Sequence, residues 1–557
     1  MEKNWIKHYS KGVPAEVDVN EFKSVIEVYE RSILRFSSRP AYSNMGATLT
    51  FGDLDRLSRH FAAYLQKVLG LRKGDRIALQ MPNLLQYPVA LFGALRAGLI
   101  VVNTNPLYTP REMEHQFKDS GAKAVVILAN FAHNLQEILP RTPIKHVIVT
   151  ELGDMLGFPK RLIVNAAVKY VKKMVPPFNI PGATPFNETL RLGATQRLDP
   201  VTFDSDEVAV LQYTGGTTGV SKGAMLTHRN LVANMQQVSP VLMSLLKDGE
   251  ESIITALPLY HIFSFTVNCM VFMKHGGHSI LITNPKDIPA FIKEMSKHSF
   301  SVVTGVNTLF NAMLNHPDFA KLNFKSLKTT VGGGMAVQKV VAERWQKVTG
   351  KPLVEGYGLT ESSPVLCVNP LDGRERIGTI GLPVPSTEIM IADEDGKEVA
   401  LGESGEIWGR GPQIMKGYWQ RPDETEKVIT KEGWLKTGDI GVIDADGFVK
   451  IVDRKKDMIL VSGFNVYPNE VEGVLATHPG VLEVAAIGVP DEKAGEAVKV
   501  YVVKRDESLT VDQVREFAKT NLTGYKVPKH VEFRKELPKT NVGKILRRAL
   551  RDEPSKS

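Results

Sequence analysis

A run of glycines, hydroxyl-bearing residues and one lysine is the segment of this sequence whose residue types most directly suggest a chemistry. It follows the apolar residues 208–211. Glycine lets main-chain N–H groups come close to an anion, and hydroxyl and ammonium groups add further hydrogen-bond donors. The run therefore predicts a loop that binds a polyphosphate, with a flexible surface loop as the alternative. Its residues are Tyr213, Thr214, Gly215, Gly216, Thr217, Thr218, Gly219, Val220, Ser221, Lys222, Gly223 and Ala224.

The spacing in this loop is not that of the common nucleotide-binding loop. That loop has the pattern G-x-x-x-x-G-K-S/T, in which the lysine reaches the β- and γ-phosphates. Counted from Gly215, the second glycine would fall on Val220, and Lys222 is followed by Gly223. An NTPase of the Walker type is therefore disfavoured.

Other segments carry residue types that suit a nucleotide. Tyr357 lies between two glycines, where an aromatic face can reach a ligand ring, although a core tyrosine fits as well. Asp439 follows a glycine close to a predicted strand, a position from which a carboxylate can bind ribose hydroxyls. Taken alone, Glu361 would be an exposed glutamate, and Lys544 one more lysine of a basic helix predicted over 544–551.

The composition is that of a globular protein with more than one domain. The chain has 557 residues, 43% of them hydrophobic and 23% charged, and a single core rarely spans such a length. The net charge of +8 suits anionic ligands or an anionic membrane surface. Because no arginine-rich tract is interleaved with aromatic residues, nucleic-acid binding is not expected. Cys269 and Cys367 form no disulfide or metal pattern, which predicts a reducing compartment, the cytoplasm.

The elements that must position these residues alternate as in a doubly wound α/β fold. The pattern predicts a strand over 75–79, a helix over 85–97 and the next strand over 99–102. Thr109 and Glu112 then form a capping box that starts another helix. The first half of the chain should therefore build a mainly parallel sheet with helices on both faces.

The later part of the chain has a different texture, with short strands separated by Asp-Gly turns. It predicts a β-rich subdomain over about 387–452. The charged run 453–457 follows, either as a solvated linker or as part of a functional boundary. The sequence therefore predicts a large N-terminal domain over 1–452 and a small, mobile α+β domain over 453–557.

Residues 160–175 combine apolar side chains at helical spacing with basic ones. Such a basic amphipathic helix can lie on an anionic membrane. An ordinary surface helix that packs its apolar side chains on the domain is the alternative. The apolar positions are Leu162, Ile163, Ala166, Tyr170 and Met174, and the basic positions are Lys160, Arg161, Lys169, Lys172 and Lys173.

Five motifs follow one another along almost the whole chain: the Thr/Gly-rich loop and the segments 355–361, 437–439, 453–454 and 538–544. In this order they resemble the adenylate-forming superfamily, which contains acyl-CoA synthetases, luciferases and peptide-synthetase adenylation domains. Residues 433–456 are similar to the signature of the fatty-acyl-CoA synthetases. The resemblance implies that a carboxylate attacks the α-phosphate of ATP and that coenzyme A then displaces AMP from the acyl-adenylate.

The resemblance also implies roles for particular residues. The Thr/Gly-rich loop would hold the β- and γ-phosphates, while Thr218 and Glu361 would position Mg²⁺. Lys544 would stabilise the charge that develops where the carboxylate oxygen meets phosphorus, and Asp453 would be the hinge of the small domain. The nucleotide would be bound by Gly333, Gly334, Glu355, Gly356, Tyr357, Gly358, Thr360, Asp439 and Arg454.

The sites for the other two substrates carry over less directly. His261 would be a catalytic residue at the mouth of the carboxylate pocket, although a histidine beside aromatic residues is more often packed in a core. Some long-chain members have a tryptophan gate where this chain has Phe265. Ser462 and Gly463 would border the tunnel for the pantetheine arm of coenzyme A. The acyl pocket is expected at His261, Phe263, Phe265, Gly305 and Val306.

The resulting expectation is a ligase of long-chain fatty acids for uptake and β-oxidation, dependent on ATP, Mg²⁺ and coenzyme A. It would be cytoplasmic and peripheral on the anionic inner face of the cell membrane, with a homodimer as one option. The alternatives are an acyl-AMP ligase that loads a carrier protein, a non-catalytic lipid- or nucleotide-binding protein, and a membrane tether that captures fatty acid. Intact Lys544, Glu361 and Asp439 argue against a non-catalytic protein.

Overall fold

The computed structural model describes residues 3–214 and 221–553. Within these residues the strands form four sheets, two large and mainly parallel and two small and mainly antiparallel. The same residues contain no helix that is both long and apolar enough to cross a membrane. The fold class predicted from the sequence, α/β with a β-rich part and a small α+β part, is confirmed.

The described strands are β1 Pro40–Asn44, β2 Ala47–Thr50, β3 Arg76–Gln80, β4 Ile100–Asn103, β5 Ala124–Leu128, β6 His146–Thr150, β7 Thr184–Pro185, β8 Val208–Thr214, β9 Lys222–Thr227, β10 Ser252–Thr255, β11 His278–Leu281, β12 Val302–Gly305, β13 Thr329–Gly333, β14 Leu353–Gly358, β15 Val365–Val368, β16 Leu382–Pro383, β17 Glu388–Ala392, β18 Gly405–Arg410, β19 Leu435–Ile443, β20 Val449–Arg454, β21 Ile459–Val461, β22 Phe464–Val466, β23 Val481–Asp491, β24 Gly495–Lys504 and β25 His530–Arg534.

The described α-helices are α1 Val25–Phe36, α2 Phe51–Ala63, α3 Gln86–Arg96, α4 Pro110–Ser120, α5 Ala132–Ile138, α6 Lys160–Ala166, α7 Phe186–Gly193, α8 His228–Met243, α9 Ile262–Ser264, α10 Phe272–Lys274, α11 Ile288–Met295, α12 Asn307–Leu314, α13 Lys339–Thr349, α14 Pro422–Val428, α15 Pro468–Leu475, α16 Val511–Asn521 and α17 Arg547–Arg551. The π-helical stretch Phe265–Val271 joins α9 and α10 into one continuous helix.

The first large sheet has the strand order β7-β6-β5-β3-β4-β8-β9. Its neighbours are parallel except for β8 and β9, which form an antiparallel pair at one edge. Alternate residues of β3 pack on opposite faces: Ile77 and Leu79 join the cluster of α2 and α3, whereas Ala78 joins that of α4 and α5. The apolar strands are therefore covered by helices on both sides, as the sequence predicts. The capping box at Thr109 and Glu112 is also confirmed.

The second large sheet has the strand order β16-β15-β14-β13-β12-β10-β11-β1-β2. Strands β10 to β14 run parallel to one another, and β15 then pairs antiparallel with β14. The carboxyl ends of β13 and β14 therefore meet at one edge, where Gly333 pairs with Gly356. This register brings the predicted nucleotide segments around 333 and 355–361 together, although they are distant in sequence.

The β-rich part is an antiparallel sheet of β17 to β20. Its strands extend from Glu388 to Arg454, close to the predicted 387–452. The Asp-Gly turn between β19 and β20 has Gly447 at a φ of +85°, a conformation that favours glycine. Asp453 lies within β20 and pairs with Ile440.

The C-terminal part has its own sheet and core. Strands β21 to β25 form one sheet, which packs with α15 and α16 around a hydrophobic cluster that extends from Ile459 to Phe533. Its hydrophobic residues lie in clusters separate from those of the large sheets. This part is therefore built as a unit of its own beside the β-rich sheet.

Candidate active site

An open cavity of about 3090 Å³ lies where the two large sheets, the β-rich sheet and the C-terminal unit meet. Most of the predicted site residues come from strand ends or from the segments that follow them, which is where parallel sheets place ligands. Those that line the cavity are Tyr213, Thr214, Ser221, Lys222, His261, Phe263, Gly333, Gly334, Glu355, Gly356, Tyr357, Gly358, Thr360, Glu361, Asp439, Arg454 and Lys544.

Strands β8 and β9 form the hairpin that carries the predicted phosphate loop. Thr214 ends β8 and faces Lys222 at the start of β9. Ser221 Oγ donates to Thr214 O at 2.9 Å. Gly223 and Ala224 lie further along β9 and do not line the cavity. Of the predicted phosphate and metal ligands, Gly215, Gly216, Thr217, Thr218, Gly219 and Val220 lie outside the described residues.

Tyr213 is fixed by an acidic residue of the neighbouring helix. Its hydroxyl donates to Asp119 Oδ2 at 2.7 Å. Arg421 in turn donates to the other oxygen of Asp119 at 2.8 Å. Burial and the adjacent carboxylate raise the pKa of Tyr213 above its usual range. Its ring therefore forms part of the cavity wall with the hydroxyl already bonded.

Two residues that the sequence did not single out, Tyr418 and Glu424, contact the charged groups of the site. Lys222 Nζ lies 2.5 Å from Glu424 Oε2 and 4.8 Å from the centre of the Tyr418 ring. The Tyr418 hydroxyl donates to Glu361 Oε1 at 2.6 Å. Hydrogen bonds from Lys222 and Lys427 lower the pKa of Glu424 to about 2. These partners lie 202 and 57 positions apart in the chain, so no local pattern could have revealed them.

Asp439 is buried in the cavity wall, and both of its carboxylate oxygens accept hydrogen bonds. The Tyr357 hydroxyl donates to Oδ2 at 2.6 Å, and Arg454 Nε donates to Oδ1 at 2.8 Å. Asp439 faces Arg454 across β19 and β20, which explains this pair. Sequence reasoning gave Tyr357 only a stacking role, whereas its hydroxyl also orients Asp439. Ribose binding by Asp439 and adenine stacking on Tyr357 stay predictions.

Glu355 is bonded to the turn that follows β13. Its Oε2 accepts from the main-chain N of Val337 at 3.2 Å. Burial raises the pKa of Glu355 to about 8. At neutral pH the side chain is therefore mainly the uncharged acid, which ties the turn down without placing a negative charge beside the predicted nucleotide.

Lys544 reaches the cavity from the C-terminal unit. A Cβ atom on Gly334, whose φ is +76°, would lie 3.0 Å from Lys544 Cε, so the lysine side chain passes over the bare main chain of this turn. Burial and the charge of Arg454 lower the pKa of Lys544 to about 8, and Asp439 opposes this shift. The glycine thus makes room for a cation above the edge of the second large sheet.

The segment around Lys544 is not helical, so the helix predicted over 544–551 is wrong at its start. Helix α17 begins at Arg547, and Thr540 N donates to Lys544 O at 2.7 Å in the turn before it. Thr308 Oγ1 donates to Gly543 O at 2.7 Å and joins this turn to α12. A glycine at 543 with a φ of +83° disfavours continuation of a helix through the turn.

His261 and Phe263 line the cavity, but the other residues expected in the acyl pocket do not. Phe265 is fully buried in the core, and Gly305 and Val306 are absent from the cavity lining. Burial and the charge of Lys544 lower the pKa of His261 to about 3. The imidazole is therefore neutral at physiological pH.

An apolar part of the cavity wall is formed by residues that were not predicted from the sequence. Helix α8, the π-helical stretch Phe265–Val271 and strand β15 supply it. Sequence alone does not distinguish these positions from buried core, because the wall of an apolar cavity and a core face have the same apolar pattern. The lining residues are Val238, Val241, Leu242, Val267, Val365 and Val368.

Ser462 and Gly463 lie on an exposed hairpin turn between β21 and β22, outside the cavity. Their φ angles of +50° and +84° are those of a tight turn. The structure therefore does not bring these two residues to the other predicted site residues. Their predicted contact with pantetheine requires a different arrangement of the C-terminal unit.

Comparison with known proteins places this site in a family. Residues 29–419 match the AMP-binding enzymes, and residues 470–544 match the AMP-binding enzyme C-terminal domain. The chain belongs to the AMP-binding enzyme family.

Within that family the chain is similar to a long-chain-fatty-acid–CoA ligase of Yersinia pestis, with 58% identity over 100% of this chain and 99% of the relative. Among solved structures, a benzoate CoA ligase from Burkholderia xenovorans LB400 has a TM-score of 0.82 and 26% identity, covering 95% of this chain and 100% of the other. ATP-bound MatB from Rhodopseudomonas palustris has a TM-score of 0.81 and 28% identity, covering 95% and 98%.

Proposed function

We infer that this chain ligates long-chain fatty acids to coenzyme A in two steps, through an acyl-adenylate, with release of AMP and pyrophosphate. The observation that carries this inference is the meeting of Lys544 with the turn at Gly334, in a cavity that also contains Lys222, Glu361 and Asp439. A relative of 58% identity over the full chain bears the name of this activity. The apolar wall of the same cavity suits an alkyl chain.

The first step joins two anions, so cations must offset their repulsion. We propose that the hairpin of β8 and β9, with Lys222, holds the β- and γ-phosphates, and that Thr360 contacts the α-phosphate. Lys544 then lies near the oxygen–phosphorus bond that forms as pyrophosphate leaves, where an ammonium stabilises the developing charge. His261, which we place at the mouth of the acyl site, is neutral. It can therefore border the fatty acid without adding a second cation that would pair with the carboxylate in place of Lys544.

The residues present fit a Mg²⁺ ion. One oxygen of Glu361 accepts from Tyr418, and the described residues supply no hydrogen bond to the other. No group of three or more His, Cys, Asp or Glu side chains that could hold a metal occurs in the described part of the chain, but Mg²⁺ is often held by one or two carboxylates together with substrate phosphates. We propose Glu361 and Thr218 as its ligands. When bound, the ion would offset charge on the phosphate oxygens.

The second step needs a different position of residues 453–557, which we propose as a mobile domain hinged at Asp453. Asp453 is fully buried and accepts hydrogen bonds from the main-chain N of Arg454 and of Asn469, both at 2.7 Å. It thus links the β-rich sheet to the start of α15. Rotation about this point would withdraw Lys544 and bring Ser462 and Gly463 toward the cavity for coenzyme A.

An acid panel tests the substrate class. ATP–pyrophosphate exchange is expected with long-chain fatty acids and not with amino or aromatic acids, because the wall around Val241 offers apolar contact along its length. Val241→Trp places a larger side chain in the cavity and leaves less room for the acyl chain, so the preferred acid should become shorter. Val68→Trp, at an exposed site, should not change the preferred chain length. A preference for aromatic acids, or transfer to a carrier protein in place of coenzyme A, would contradict the proposal.

We further propose peripheral contact with the anionic inner face of the cell membrane through residues 158–174. Helix α6 continues as a π-helical stretch to Val171, shorter than the predicted 160–175. Its polar side chain Asn165 bonds inward to Gly153, Glu151 and Asp154. A surface helix that packs its apolar side chains on the domain is disfavoured, because the large apolar side chains of this segment are exposed. They are Phe158, Leu162, Ile163, Tyr170, Val171 and Met174.

Charge supports an anionic partner for this surface. Arg161, Lys169, Lys172 and Lys173 are exposed within the same segment, and each basic residue near an anionic bilayer contributes about 1 kcal/mol. Buried apolar side chains add to this affinity. Cytoplasmic residence is part of this proposal, and a homodimer stays a prediction that a solution mass would decide.

Vesicle sedimentation tests the surface. The triple variant Lys169→Glu/Lys172→Glu/Lys173→Glu is expected to bind vesicles of anionic lipid at least tenfold more weakly, since three cations become anions. Ile163→Ser/Val171→Ser should weaken binding to anionic vesicles as well. Leu401→Ser, a change at an exposed aliphatic residue outside this segment, is the matched control. Equal vesicle binding by all variants would refute the proposed membrane contact. It would not bear on the proposed ligase function.

A further inference from the structure

Lys222, the lysine of the predicted phosphate loop, is bound by a carboxylate. Its Nζ lies 2.5 Å from Glu424 Oε2, and both side chains are partly exposed, with 20% and 27% of their surfaces accessible. Both residues line the cavity that holds Glu361 and Lys544. An anionic ligand that uses Lys222 must therefore take this ammonium from Glu424 or share it.

The position of Glu424 is set by the same main chain that carries Lys222. Met225 N donates to Gly417 O at 2.9 Å, and Trp419 N donates to Gly223 O at 2.8 Å, so the segment 415–419 runs along β9. Tyr418 N then donates to Thr425 Oγ1 at 2.9 Å, which joins this segment to α14. The carboxylate and the ammonium are therefore held by a common framework and do not meet by chance.

Glu424 keeps a second cation. Lys427 Nζ contacts its other oxygen, Oε1, at 2.5 Å. When Lys222 turns to a phosphate, Glu424 therefore stays paired, which lowers the cost of the exchange. Lys222 meanwhile stays above the Tyr418 ring, 4.8 Å from its centre, which limits how far the ammonium has to move.

We propose that Glu424 is a positioning residue that competes with pyrophosphate for Lys222 and so promotes release of this product before coenzyme A reacts. This proposal rests on the proposed function in that pyrophosphate is the first product. The carboxylate weakens binding of the bare product by repulsion and by capture of the lysine. ATP meets the same competition, but its adenosine part adds contacts that do not involve Lys222, so the substrate stays bound where the bare product is released.

Direct binding of inorganic pyrophosphate to the full chain, measured by calorimetry with Mg²⁺, tests the proposal. Glu424→Gln removes the charge and keeps the shape, so pyrophosphate should bind about five- to tenfold more tightly. Product inhibition by pyrophosphate should strengthen by a similar factor in the ligase assay. Glu426→Gln, at an exposed position of the same helix outside the cavity, is the matched control and should change neither.

The direction of the change separates the proposal from a structural role. If Glu424 only supported α14, its substitution would loosen the site and weaken pyrophosphate binding. Unchanged or weaker binding by Glu424→Gln would overturn the proposal. In a chain that already carries Lys222→Met, Glu424 has no lysine to capture and acts on pyrophosphate by repulsion alone. Glu424→Gln should therefore raise the affinity for pyrophosphate less in this background than in the unmodified chain. Failure of the proposed ligase function would show separately, as absence of ATP–pyrophosphate exchange in the unmodified chain.

Discussion

Replacing Lys544 by alanine is expected to lower the rate of acyl-adenylate formation by about 100- to 1000-fold and to leave thioester formation from preformed acyl-adenylate largely unchanged. The reason is its place above Gly334, where it adds a cation to a site in which two anions must meet. Single-turnover measurements of the two half-reactions check this result. The matched control is Lys535→Ala, at an exposed lysine of the same unit that does not line the cavity.

The pH dependence gives a second view of the same residue. The pKa of Lys544 is about 8 because burial and Arg454 disfavour its charged form. The ammonium is the protonated form, so its contribution is present below this pH and is lost as the pH rises through it. Bound polyphosphate favours the ammonium and moves the loss to higher pH. If Lys544→Ala lowered the rates of acyl-adenylate formation and of thioester formation equally, the role assigned to Lys544 in the first half-reaction would be contradicted.

Replacing Glu361 by glutamine is expected to lower kcat/KM for ATP by roughly 100-fold and to raise the Mg²⁺ concentration needed for half-maximal rate. The change removes the charge that would hold the ion but keeps an oxygen that can accept from Tyr418. Initial rates over a grid of ATP and Mg²⁺ concentrations check this result.

Tyr418→Phe provides a graded comparison for the Glu361 variant. It leaves the carboxylate charged and removes only its hydrogen-bond donor, so a loss of a few-fold is expected. Glu250→Gln, at an exposed glutamate away from the cavity, is the control. If Glu361→Gln retained the full rate at ordinary Mg²⁺ concentration, Glu361 would have no part in metal binding.

Elements with strong local signals were predictable from the sequence. The capping box at Thr109 starts α4 as expected, and the strand predicted over 75–79 is observed at Arg76–Gln80. These features are fixed by residues within a few positions of one another. The turn at Gly543 is the opposite case: the basic residues after it suggested one helix from 544, but Lys544 bonds back to Thr540 and the helix starts later.

The order of motifs along the chain determined the family and most of the polar site, because these residues lie in short segments whose residue types do not depend on distant contacts. Only the tertiary structure decided how the groups are partnered. Tyr357 on Asp439, Glu424 on Lys222 and Tyr418 on Glu361 are contacts between segments far apart in sequence. The apolar wall of the cavity could not be predicted either, because apolar side chains have the same spacing in a cavity wall as in a buried core.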